Sequence, residues 1–124
     1  MFIFANPNPA RLKVEDCTVR AVSIALGLTW EQAFDGICET ARRLYDMPDS
    51  DYAFGSFLKE NGFERIQVPD FCPDCYTLKQ FCEDNPIGTY ILATNKHVTA
   101  VIDGNYYDTW DSGDEVPAYI WRRV

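Results

Sequence analysis

Two strand-like runs, HVTAVI at residues 97–102 and NYYDTW at residues 105–110, are separated only by Asp103 and Gly104. An Asp-Gly pair between such runs is a strong signal for a two-residue β-hairpin, because the turn needs positive φ at both central residues. That connection sets the register. Ile102 faces Asn105, Val101 faces Tyr106, Thr99 faces Asp108 and His97 faces Trp110. Side chains alternate with a period of two, so His97, Thr99 and Val101 share a face with Trp110, Asp108 and Tyr106. His97 and Asp108 become diagonal neighbours, about 7–8 Å apart between backbones and within side-chain reach. Asp111 takes that place if the loop is longer.

Helix signals dominate the first half. Residues 1–15 read as extended or irregular, since Pro7 and Pro9 bias Asn6 and Asn8 away from helix. Asp16 is placed to cap a helix Cys17–Leu26, stopped at Gly27. Its apolar residues run nearly all round, which marks a buried helix. Thr29 and Gln32 form a capping box for a second helix, with Ala33, Phe34, Ile37, Cys38, Ala41, Leu44 and Tyr45 on its inward face. Ser50 caps a third, carrying Tyr52, Phe54, Phe57 and Leu58 and ended by Gly62. Residues 63–68 read as a strand, 69–76 as a loop, and Thr77 with Gln80 opens a short helix closed by Asn85 and Pro86. Strands follow at 88–94, 97–102, 105–110 and 116–124. Helices followed by an antiparallel sheet describe one α+β domain over residues 1–124.

At 124 residues the chain buries about 65% of its unfolded surface on folding. A net charge of −8 argues against nucleic acid or an anionic membrane surface as the partner, and favours a basic peptide. No segment is long enough to span a membrane. Five cysteines, an odd count, with no signal-peptide pattern before them, suit a cytoplasmic setting with free thiols.

The chemistry centres on Cys17. A thiol at a helix N-terminus has a lowered pKa, and an imidazole within reach makes it a nucleophile. His97 is the only histidine. Cys17 is therefore the expected nucleophile, His97 its base, and Asp108 the carboxylate that orients His97. Trp110 shields the His97–Asp108 bond from water. The oxyanion would be held by the Cys17 backbone N–H and a side-chain donor from the preceding segment, Asn8 or, in reserve, Asn6. Arg20 either forms an i,i+4 ion pair with Asp16 or lines the mouth of the cleft.

These motifs resemble those of small papain-like cysteine peptidases. Asp108-Thr109-Trp110 is similar to the Asn-Ser-Trp of papain-type enzymes, with Asp for Asn. Asp16-Cys17 resembles the Asp-Cys of peptidase domains that process leader peptides in bacteriocin exporters. DCTVRAVSIALGLTWEQAF, MPDS, FLKENGF and HVTAVIDGNYYDTWD together look like a group of small phage and bacterial proteins, a similarity that covers most of the chain from Asn8 onward. The resemblance implies a papain-like fold and the Cys-His-Asp triad but no substrate; the reaction expected of such a triad is hydrolysis through a thioester acyl-enzyme, with cleavage of a peptide or protein as the leading case and no cofactor required. The chain departs from the papain group at Arg11, where a Gln is usual, and at Thr18 and Val19, where an aromatic is usual.

Two rival readings have their own residues. A non-catalytic binding module or inhibitor on the same scaffold would suit the acidic surface. Cys72 and Cys75 in CPDC, with Cys82 and His97, supply four zinc-type ligands, though the second half lacks the paired spacing of a zinc finger.

Overall fold

The computed structural model describes residues 1–11, 14–68 and 76–124. The elements run β1 (Phe2–Phe4), α1 (Cys17–Leu26), α2 (Trp30–Leu44), α3 (Asp51–Glu60), β2 (Phe63–Ile66), α4 (Leu78–Asp84), β3 (Thr89–Ala93), β4 (Val98–Ile102), β5 (Asn105–Asp108) and β6 (Tyr119–Arg123). The six strands form a single sheet in the order β1-β5-β4-β3-β6-β2. The fold class is α+β. The sheet is mixed, which corrects the expectation of a purely C-terminal antiparallel one. β1 pairs parallel with β5, and β2 enters from the middle of the chain to pair with β6.

The β4–β5 hairpin has the expected register, with Val101 opposite Tyr106 and Ile102 opposite Asn105. Asp103 and Gly104 take φ of 50° and 78°, as a two-residue turn requires. The helix starts also match their signals. Thr29 accepts from the Gln32 N–H while the Gln32 side chain accepts from the Thr29 N–H, a complete capping box. Ser50 accepts from the Ala53 N–H. Thr77 accepts from the Gln80 N–H, but the Gln80 side chain donates to Asp84 instead of closing the box. Asp16 stands at the N-cap of α1 without capping it, because its carboxylate is engaged elsewhere.

Both faces of the sheet are covered. On one face Ala21, Val22 and Ala25 of α1 and Phe54, Phe57 and Leu58 of α3 pack on Ile91, Ala100 and Trp121. On the other, Leu78, Phe81 and Cys82 of α4 pack on Tyr90, Leu92, Val101 and Ile120. The alternation Tyr90/Ile91/Leu92 and Val101/Ala100 is the strand pleat delivering neighbours to opposite cores, and strands covered on both sides read as continuous apolar runs. Gly36 lets α2 and α3 approach closely, since a Cβ there would lie 2.6 Å from the Phe57 ring. Two residues expected on the inward face of α2 lie outside. Tyr45 takes the left-handed cap conformation and is 98% exposed, and Phe34 stacks on Trp30 at the surface.

Candidate active site

Cys17 is the first residue of α1, so its side chain stands where the N-terminal helix dipole is strongest. The start of β4 comes against it. The His97 ring and the backbone N–H of Val98 come close enough to the sulfur to lower its pKa. A single bent segment, closed by the Thr94 N–H donating to the His97 carbonyl at 2.8 Å, presents these two groups side by side.

His97 Nε2 donates to Asp108 Oδ2 at 2.5 Å. That leaves Nδ1 for the thiol. The ring is 8% exposed and Asp108 2%. Oδ2 also accepts from Thr99 Oγ1 at 2.8 Å and Ser112 Oγ at 2.7 Å. Oδ1 accepts from the Thr109 N–H at 2.8 Å. The carboxylate is buried yet fully provided with donors, as a charge removed from water must be. Trp110 lies over His97 with ring centroids 4.9 Å apart and is 46% exposed, so it covers the imidazole from the solvent side.

The electrostatics favour a charged pair. Burial pushes the Cys17 thiol up, but the hydrogen bonds from His97 and Val98, with the charges of His97 and Arg20, outweigh it and hold the thiol below its ordinary value. Burial pulls His97 down, but its bonds to Asp108 and Cys17 raise it to about 9. Burial also pushes Asp108 up, and His97, Ser112 and Thr99 bring it below the usual carboxylate range. A lowered thiol facing a raised imidazole is the pattern of a thiolate–imidazolium pair.

A second buried group adjoins the first. Asp16 Oδ1 accepts from Arg20 Nη1, and Oδ2 accepts from Trp30 Nε1 at 2.9 Å and Asn8 Nδ2 at 3.2 Å. Arg20 Nη2 stands 3.7 Å from Asp108 Oδ1. Asn8 Oδ1 accepts from the Ala10 N–H, and Asn6 Oδ1 accepts from the Asn8 N–H. Cys17, His97, Asp108 and Trp110 are thus brought together, while Asn8 is joined to Asp16 and Asn6 to the Asn8 backbone. Asp111, the alternative partner for His97, instead accepts from Tyr106 Oη at 2.5 Å.

Sequence reasoning left out Ser112 and Trp30 and assigned Arg20 no contact with Asp108. Arg20 has a signal, a lone charge in an otherwise apolar helix. Ser112 follows the strand in an irregular turn and has none.

Between the first turn of α1 and α2 lies an apolar hollow of about 490 Å³, walled by Val19, Trp30, Phe34, Ile37 and Met47, with Glu15, Asp16 and Asp49 also lining it; Cys17 is not part of its wall. Cys17, Cys38 and Cys82 carry free thiols. Burial pushes Cys82 up to about 11, the opposite of Cys17. Cys72 and Cys75 lie outside the described residues. Among the described residues no group of three His, Cys, Asp or Glu side chains is arranged to hold a metal, and no helix is long and apolar enough to cross a membrane. No protein-family model matches the chain, and no curated protein or solved structure matches it either.

Proposed function

We propose that the protein is a papain-like cysteine hydrolase, a peptidase or isopeptidase that works through Cys17, His97 and Asp108. The observation that carries this reading is the order Cys17, His97, Asp108: Nε2 of His97 bonds Asp108 Oδ2 at 2.5 Å, and the ring acts on the Cys17 sulfur from its other side. Nucleophile, base and orienting group in that order are what acyl transfer from an amide needs.

In the reaction His97 holds the proton of Cys17 and the thiolate attacks the substrate carbonyl. The oxyanion forms beside the first N–H of α1. That N–H has no partner within its helix, and the helix dipole favours negative charge there. His97 then gives its proton to the leaving amine, the C–N bond breaks, and a thioester to Cys17 remains. Water, losing a proton to His97, attacks the thioester; the C–S bond breaks, the acid leaves, and the Cys17 thiolate with the protonated His97 is restored. Asp108 keeps Nε2 protonated throughout, so Nδ1 exchanges the proton.

The apolar hollow lined by Thr18 and Val19, the two residues that follow Cys17, suits an apolar side chain of the substrate. Of its three acidic members, Asp16 is paired with Arg20, and Glu15 and Asp49, with the net charge of −8, favour basic neighbours in the peptide. A quenched-fluorescence peptide library tests the proposal. Cleavage of a subset of peptides by the wild type, abolished in Cys17→Ala and restored by no added metal, supports it. No cleavage of any peptide, together with ordinary reactivity of Cys17, leaves a protein-binding module on this scaffold.

A further inference from the structure

The three groups of the triad come from two separate parts of the fold. Cys17 belongs to α1, and His97 and Asp108 belong to the hairpin and its entrance. Arg20 lies three residues after Cys17 and is only 8% exposed. The other buried residues of α1 are Ala21, Val22, Ser23 and Ala25, all uncharged. A buried guanidinium costs several kcal/mol unless it is paired. Here it is placed between two buried carboxylates. Nη1 donates to Asp16, the residue before Cys17, and Nη2 stands 3.7 Å from Asp108 Oδ1. Asp16 is held in turn by Trp30 Nε1 and Asn8 Nδ2.

We infer that Arg20 is the positioning residue of this site: it ties the helix that carries Cys17 to the carboxylate that orients His97, and by standing at Oδ1 it keeps Oδ2 turned to the imidazole. This rests on the triad reading above. The planar fork of arginine suits two carboxylates at once, whereas a lysine presents one compact charge on a flexible stem. The Arg20 charge lies beside Asp16 and Asp108 and acts on Cys17, so it offsets carboxylates that would otherwise disfavour a thiolate.

Two consequences of removing Arg20 have opposite signs at His97. Losing a nearby cation raises the proton affinity of the imidazole. Losing the alignment of Asp108 lowers it. The direction of the shift therefore separates a positioning role from a purely electrostatic one, and a loss of fold stability alone moves neither.

The experiment uses the full chain as wild type, Arg20→Met and Arg20→Lys. Proton NMR follows the His97 Cε1–H signal, unambiguous because the chain has one histidine, while iodoacetamide labelling at pH 6 follows Cys17. In Arg20→Met the His97 midpoint is expected to fall by about one pH unit, and Cys17 labelling to slow about tenfold, the equivalent of one unit in the thiol. Arg20→Lys is expected to fall between this variant and the wild type. A His97 midpoint that is unchanged or raised in Arg20→Met overturns the inference. If Arg20→Met does not melt cooperatively, Arg20→Lys decides: a midpoint equal to wild type overturns the inference, and a lowered one supports it. Slow, ordinary labelling of Cys17 in the wild type would instead remove the hydrolase reading, while the His97 midpoints still judge Arg20.

Discussion

Asp16 occupies the N-cap of the helix that Cys17 begins, yet its carboxylate turns from that helix's N–H groups to the guanidinium of Arg20, one turn on. The helix gives up a local cap, and the site gains a buried ion pair that reaches toward Asp108. Asp16→Ala leaves Arg20 buried with a partner missing, which costs about 3–5 kcal/mol. Thr29→Ala removes an ordinary exposed cap and costs about 1 kcal/mol. Urea unfolding of both variants measures the difference. Equal costs would mean that Asp16 acts as a cap after all.

Asp108→Asn keeps the shape of the side chain and removes its charge. The His97 midpoint is expected to drop from about 9 toward its ordinary 6.5. On a cleaved reporter peptide, kcat/KM should fall, but by less than the roughly 10²–10⁴-fold expected for losing His97, the group that transfers protons, because an Asn carbonyl oxygen still accepts from Nε2. Cleavage kinetics at pH 7 check this. A loss confined to KM would argue that Asp108 contacts substrate rather than orienting His97.

The pH dependence of stability should differ between the wild type and Cys17→Ala. His97 is raised in the folded state, so on its own it contributes stability that is complete below 6.5 and lost as pH rises toward about 9. Cys17 is lowered from its ordinary 9.0, so its contribution runs the other way and grows with pH. In the wild type the proton kept by His97 is the one given up by Cys17. Their contributions then oppose each other as pH rises above 6.5, and the wild-type curve is flatter than either residue alone would make it. In Cys17→Ala the compensation is gone, and stability declines as pH rises through the folded-state midpoint of His97. Asp108 is lowered, so its contribution is present above its ordinary 3.8 and lost as pH falls through its lower folded value. Urea midpoints at half-unit pH steps for both proteins read out the comparison. Parallel curves above pH 6.5 contradict the paired state.

Gly104 at φ 78° turns the hairpin, and a Cβ there would lie 3.3 Å from the Cys82 carbonyl oxygen. Gly104→Ala is expected to cost about 1–2 kcal/mol through strain at a positive-φ position. Because the turn sets the register that carries Asp108, the same variant should broaden the His97 NMR signal. A thermal melt identical to the wild type contradicts the strain argument.

The hairpin was legible because its constraint is local: an Asp-Gly turn admits one register, and that register carries Asp108 to His97. The helix starts were legible for the same reason, since Thr29 and Ser50 act within one turn of chain. The mixed sheet was not. The three residues of β1 pair with β5 from the far end of the chain, and β2 pairs with β6. Such non-local pairings leave no periodic trace in a short segment. Phe34 and Tyr45 followed the helical spacing and still lie outside, one stacked on Trp30 and the other turned out by a left-handed cap. At the site, the pairing of Arg20 with Asp16 is written in their i,i+4 spacing. Its reach to Asp108 depends on how α1 meets the hairpin.

The reactivity of the Cys17 thiol tests the central claim most directly. The native protein is treated with limiting iodoacetamide across pH 4–9, alkylation is mapped by mass spectrometry, and the series is repeated with His97→Ala. The thiolate–imidazolium account expects Cys17 to be labelled ahead of Cys38 and Cys82 well below pH 7, with that advantage lost in His97→Ala. A Cys17 labelled no faster than the other thiols, with the pH profile of an ordinary cysteine in both proteins, would contradict it.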